Sequence, residues 1–237
     1  MGALTQSPPI IDEAEYYPES DGVPMADNTK QFEWIVTIKE GLDALLPHDF
    51  VAGDLLWYPV RGQVKTWVAP DVLVALGRPK GHRGSYKQWE EEGVAPQVVF
   101  EILSPGNTVR EMIDKEAFYE RHGVAEYYIY DPDTNTIWGW LRETERLVKI
   151  PVMADWVSPR LGIRFERTPE TLIIHRPDGR CFLTYQELEA QHQIALAQVE
   201  AERERAEVER QAKEAAQQEN ERLKEKLRAL GIDPEQM

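Results

Sequence analysis

The chain has 237 residues, a hydrophobic fraction of 42% and a formal net charge of −15. Length and apolar content suffice for one packed domain with an appendage, or one large domain. The acidic balance counts against strong non-specific affinity for DNA, but not against a metal-dependent nuclease, whose own site must be acidic to hold a cation.

Cys181 is the sole cysteine, so no internal disulfide can form, which fits a reducing cytoplasm. Its thiol reads as a small buried hydrophobe. The start, MGALTQSPPI, has no basic region followed by an apolar core, so no signal peptide is expected. It also lacks the Ser or Thr at the sixth position that myristoylation prefers. No apolar run approaches the ~20 residues that a membrane span needs.

Residues 1–28 are rich in Pro, Asp, Glu and Ser and carry no periodicity. They read as an N-terminal arm, mobile or irregularly wrapped. Asn28 or Thr29 can cap a helix running to about Leu46, in which Phe32, Ile35, Val36, Ile38, Leu42, Leu45 and Leu46 recur at helical spacing. Pro47 ends it. DFVAGDLLWYPV predicts one strand and APDVLVALG the next. GRPKGHRGSYKQWEEEGVAP is turn-rich and charged, which predicts a long loop. QVVFEIL is the most strand-like segment, and SPGN breaks it.

TVREMIDKEAFYERHG predicts an amphipathic helix. Val109, Met112, Ile113, Ala117 and Phe118 form its apolar side, and Gly123 is placed as its stop. AEYYIYDP is a further strand. TIWGWLRE and RLVKIPV pair as a hairpin, and LGIRFERTPETLIIHRPDGRCFLT adds short strands around a turn at Pro177-Asp178-Gly179. From Thr184 the composition shifts to Glu, Ala, Gln, Arg and Lys. Thr184 and Glu187 fit a capping box, and Gly231 followed by Pro234 gives a stop, which predicts one helix from about Tyr185 to Leu230. Only its end, Leu223, Leu227 and Leu230, has a proper coiled-coil seam. The tail is therefore either a solvated helix held by i,i+4 charge pairs or a self-association element. A homodimer is expected, through that seam or through apolar hairpin edges such as TIWGWL. A partner helix is an alternative occupant of the tail.

The chemistry centres on QVVFEILSP. Glu101 lies inside an apolar strand, where an unpaired carboxylate is expensive. Pairing with a core Arg or Lys, or a solvated strand end, would explain it structurally. The functional explanation pairs it with Asp71, where VAPDVLVALG begins a strand with Pro70 and an acid. Two adjacent strands, each presenting one carboxylate near an end, can flank one hard cation. Mg²⁺ takes one or two carboxylates and fills its octahedron with waters, backbone oxygens and substrate phosphate. The Ile102 carbonyl is a candidate backbone ligand. A cationic third component would orient water or stabilise the transition state, and Lys115 on the following helix is the candidate. Tyr119 shares its helix face; Asp114 and Arg110 flank that face.

Pro-Asp, a long loop, a strand with an acid and then a helix resembles the PD-(D/E)XK nuclease superfamily. APDVLVAL, VVFEILSPGN and DKEAFYERHGVAEYYIYDP together resemble the Uma-type family of restriction endonucleases, over about Tyr16 to Phe182. The resemblance implies an α/β, restriction-endonuclease-like mixed sheet flanked by helices. It implies a nuclease domain over 29–183 between the arm, 1–28, and the charged helix, 184–237. It also implies a Mg²⁺- or Mn²⁺-dependent endonuclease acting on DNA. The superfamily's third motif position, two after the acid, should be Lys and is Leu103 here. In the resembling family that position is commonly apolar and the lysine comes from the next helix, which makes Lys115 the migrated catalytic lysine beside Asp71 and Glu101. Acids of the first helix line such sites in the superfamily, so Glu33 or Glu40 can serve; Asp54 is a weaker candidate.

The alternative is a non-catalytic or weakly active binding or assembly protein that works through its C-terminal helix. Asp71, Glu101 and Lys115 favour the nuclease, whereas the acidity favours the alternative. Arg78 to Lys87, with Arg61 and Lys65, form a basic strip that either contacts phosphate or is an ordinary solvated loop. Trp67, Trp89, Trp138 and Trp140 read as core or edge packing before base-stacking platforms.

Overall fold

The computed structural model describes residues 16–22 and 24–229. Helix α1 (Thr29–Leu45) starts where Asn28 accepts a hydrogen bond from the Gln31 N–H, a capping geometry. Ile35, Ile38 and Leu42 form its buried stripe, while Phe32 stays half exposed. Gly41, a poor helix former, is explained by close approach: a Cβ there would come within 2.5 Å of the Phe182 ring. There follow β1 (Phe50–Gly53), β2 (Trp57–Tyr58), β3 (Val72–Ala75), β4 (Tyr86–Lys87), β5 (Val98–Ile102), α2 (Val109–His122), β6 (Glu126–Asp131), β7 (Thr136–Glu143), β8 (Arg146–Lys149), β9 (Arg164–Arg167), β10 (Leu172–His175) and α3 (Tyr185–Ala229).

Six strands form one mixed sheet in the order β1-β3-β5-β6-β7-β8. β5 and β6 run parallel, with α2 as their crossover, and the other neighbours are antiparallel. The mixed α/β class expected from the sequence is the class found. Alternation along β5 splits the core in two. Val98, Phe100 and Ile102 face α1 and the β9–β10 hairpin. Val99 faces α2, with Leu73, Tyr119 and Tyr127.

Two details differ from expectation, and the arm takes the wrapped one of its two expected forms. The segment near 50–60 is not one strand: Asp54 takes a left-handed conformation (φ +47°), and Trp57–Tyr58 pairs instead with β4. Asp is among the few residues that tolerate this. The buried face of α2 takes only Met112 and Phe118 from its apolar stripe. Val109, Ile113 and Ala117 are exposed, whereas Lys115 and Phe118 are partly buried and Tyr119 is fully buried. In the arm, Tyr17 packs against the Tyr58 and Trp89 rings, and Tyr58 OH donates to the Pro18 carbonyl, so residues 16–22 wrap the domain.

The chain divides into two compact units, meeting at Thr184 and Tyr185. In the second unit α3 runs for 45 residues without a buried residue among those described. Pairs such as Glu207–Arg210 and Glu221–Lys224 lie along it. Leu223 is exposed and Leu227 half-buried; Leu230, Gly231 and Pro234 lie outside the described residues.

Helix α2 is pinned at both ends. Thr108 and Glu111 form a full capping box. At the other end Gly123 adopts the left-handed stop conformation (φ +96°). The Arg142 guanidinium, from β7, donates to the carbonyls of Tyr119, Glu120 and Val124. Thr108→Ala should therefore cost about 1 kcal/mol of unfolding free energy, read by chemical denaturation. An unchanged midpoint would show that the cap does not hold the helix.

Candidate functional site

The register pairing Val72 with Phe100 sets Asp71 opposite Glu101, one step beyond the paired residues. Directly opposed residues share a face, and this is the face covered by α2. Both carboxylates are buried, at 9% and 2% exposure. The Ile102 N–H donates to Asp71 Oδ2 at 2.6 Å, which fixes that side chain across the strand ends. Lys115 Nζ donates to Glu101 Oε2 at 2.8 Å, and the Tyr119 hydroxyl donates to Glu101 Oε1. Lys115 and Tyr119 sit four residues apart on α2, so one helix face supplies both donors.

Burial pushes the Asp71 carboxyl well above the usual range, and the Glu101 charge adds to this; Lys115 and the Ile102 amide only partly offset it. For Lys115, burial pulls the ammonium down, but Glu101 and Asp71 outweigh it and the net direction is up. Burial also drives the Tyr119 phenol far up, reinforced by Glu101, so it remains a proton donor. Asp54 is half-buried beside this cluster. Burial and Asp21 raise its carboxyl, while Lys115 lowers it.

The fold thus brings Asp71, Glu101 and Lys115 together, with the Ile102 backbone beside them. The acids Glu33 and Glu40 are exposed on α1, and Glu40 pairs with Lys39. What α1 sends to the site is Gln31, whose Nε2 donates to the Ile102 carbonyl at 2.8 Å. Gln31 escaped sequence reasoning, although it stands four residues before Ile35 and so begins the buried stripe. Arg110 and Asp114 remain on the outside of α2, 3.9 Å apart.

The loop cations from Arg78 to Lys87 are paired within the protein. Arg78 bonds Glu91 and Glu92, Arg83 bonds Glu91, Lys80 bonds Asp43, and Lys87 lies beside Glu90. Arg83 also lies over the Phe50 ring. These cations staple the loop rather than face solvent unpaired.

Among the described residues no three or more His, Cys, Asp or Glu side chains gather around one point for a metal. The donor set is smaller: two carboxylates and one carbonyl, flanked by a lysine. It fits Mg²⁺, which needs only one or two protein carboxylates, and fits poorly a metal that demands nitrogen or sulfur.

The family model described as "Uma2: Putative restriction endonuclease" matches residues 42–170, more than half of the chain. The chain belongs to this family. The Uma2 match runs from the last turn of α1 to the turn between β9 and β10 and contains Asp71, Glu101 and Lys115. Among solved structures, the chain is similar to a "putative nuclease belonging to DUF820" from Anabaena variabilis. Identity is 15%, coverage is 56% of this chain and 72% of that one, and the TM-score is 0.42. No curated protein matches the chain.

The raised Asp71 carboxyl has a stability consequence. Its contribution is fully present below the unfolded carboxyl range near pH ~4 and is lost as pH rises through the higher folded value. Asparagine keeps an oxygen for the Ile102 amide and never ionises. In metal-free buffer, Asp71→Asn should therefore melt higher than wild type at neutral pH, and the gap should close as pH falls toward ~4. A wild type that gains on the variant as pH rises would show that Lys115 outweighs burial and Glu101.

Proposed function

We propose that the chain is a divalent-metal-dependent endonuclease that hydrolyses DNA phosphodiester bonds. Asp71 and Glu101 are its metal ligands, with the Ile102 carbonyl, and Lys115 is its catalytic lysine. The observation that carries this reading is the opposed, buried Asp71–Glu101 pair with the Lys115 ammonium 2.8 Å from Glu101. A core built only for stability would gain by replacing such a cluster with apolar groups. Membership of the family described as "Putative restriction endonuclease" supports the reaction class.

A bound Mg²⁺ or Mn²⁺ supplies charge neutralisation at the phosphate and a water of lowered pKa. The protein's own groups do the positioning. The Ile102 amide aims Asp71, and Tyr119 holds Glu101 from the helix side. Gln31 keeps the Ile102 carbonyl fixed at the strand end. Lys115, a full cation at neutral pH, donates toward a non-bridging phosphate oxygen or orients the attacking water. A second reading, assembly through the tail, is favoured by the exposed Leu188, Ile194, Leu196 and Val199 of α3.

The test is cleavage of supercoiled, linear and single-stranded DNA with Mg²⁺ or Mn²⁺, beside Asp71→Ala. Wild type should cleave with metal and stop with chelator, and Asp71→Ala should lose about 100-fold or more. Metal-dependent cleavage that persists at the wild-type rate in the variant would remove Asp71 from the site. No cleavage of any DNA form would favour assembly through α3.

A further inference from the structure

Outside the carboxylate pair, α2 and the segment before β3 border a shallow, open groove of about 420 Å³ that reaches Lys115. Two aromatic side chains line it, Trp67, 38% exposed, and Phe118. Its charges are balanced. Arg110 faces Asp114 at 3.9 Å, and Glu111 lies 3.9 Å from Lys115. Two acids against two cations make a poor trough for a run of phosphates. A flat, neutral base laid on the aromatic surface suits it better, with the sugar-linked phosphate of that nucleotide reaching Lys115.

We infer that this groove seats an unpaired base of single-stranded DNA, stacked on Trp67, next to the bond the site acts on. The inference rests on the nuclease reading above and adds the substrate class. Three observations favour a single strand over the interior of a duplex. The protein is acidic, with a net charge of −15. The loop cations Arg78, Lys80 and Arg83, which could have tracked a duplex backbone, are held by Glu91, Glu92 and Asp43. The aromatic surface that is open beside the site, Trp67, needs a base out of its helical stack to be used. Stacking on an aromatic side chain tolerates any base and supplies binding where backbone charge does not. Lys65, exposed two residues before Trp67, adds a backbone phosphate contact.

The test is equilibrium binding of a labelled oligothymidylate to the full chain, by fluorescence anisotropy in chelator, so that no turnover occurs. Unlabelled duplex, single strand and oligouridylate serve as competitors. The single strand should compete better than duplex at equal nucleotide concentration. Its affinity should depend weakly on salt, with a log–log slope of about 1 to 2, since few phosphates are neutralised. Trp67→Ala should weaken binding about ten-fold, while Trp67→Phe, which keeps a ring, should recover most of it. Unaltered melting of both variants separates lost stacking from lost structure. If Trp67→Ala does not fold, the wild-type competition decides. Duplex competing as well as single strand, or Trp67→Ala binding unchanged, overturns the inference. An oligouridylate that outcompetes the DNA strand overturns the assignment to DNA. Trp67-dependent binding without metal-dependent cleavage would sink the nuclease reading and leave only the single-strand groove standing. Asp71-dependent cleavage of duplex with Trp67 irrelevant would do the reverse.

Discussion

Glu101 is the constraint around which the α2 side of the domain is arranged. Its carboxylate is buried in β5 at 2% exposure, where an uncompensated charge would cost several kcal/mol. Both of its oxygens are met from a single helix, by Lys115 and Tyr119. That requirement fixes which face of α2 turns inward and how the helix is rotated on the sheet. It also explains why the ends of α2 are so firmly held, by the Thr108–Glu111 box and by Arg142. A crossover helix free to slide by one turn would carry its lysine away from the acid.

The same constraint explains where sequence reasoning worked and where it did not. The apolar run around Glu101, the α1 stripe and the Gly123 stop are local signals, and each specified its element. The rotation of α2 was not legible from hydrophobicity, because Lys115 and Tyr119 take the buried side and leave Val109 and Ile113 in solvent. Electrostatic compensation outweighed apolar content there. The break at Asp54 escaped because a left-handed residue in an otherwise strand-like run leaves no mark in its periodicity. The pairing of the basic loop escaped because its carboxylate partners, above all Glu91, return only through the fold of the loop. The acids of the site were legible individually. Their direct opposition depends on the β3–β5 register, which no local pattern encodes.

Asp71 stands in a different relation to the fold from Glu101. One of its oxygens takes the Ile102 amide at 2.6 Å, a bond that any strand-end acceptor could make. Asparagine or serine would serve such a capping role without burying a charge beside Glu101. An ionisable group set against burial and a like charge, with its proton held unusually tightly, has the environment that the proposed metal-ligand role calls for. Gln31 completes the arrangement from the opposite face of the sheet, through the Ile102 carbonyl. One backbone residue thus links the acid, the strand end and α1.

The central claim is that Asp71, Glu101 and the Ile102 carbonyl form a binding site for a hard divalent cation. Crystals of the full chain soaked in Mn²⁺, with an anomalous difference map at the manganese edge, test it directly. The account predicts a peak between Asp71 and Glu101 within bonding distance of both carboxylates, with Lys115 turned away from Glu101 Oε2. A map with no peak there, and Lys115 still bonded to Glu101, would contradict it and leave the cluster as a buried ion pair alone.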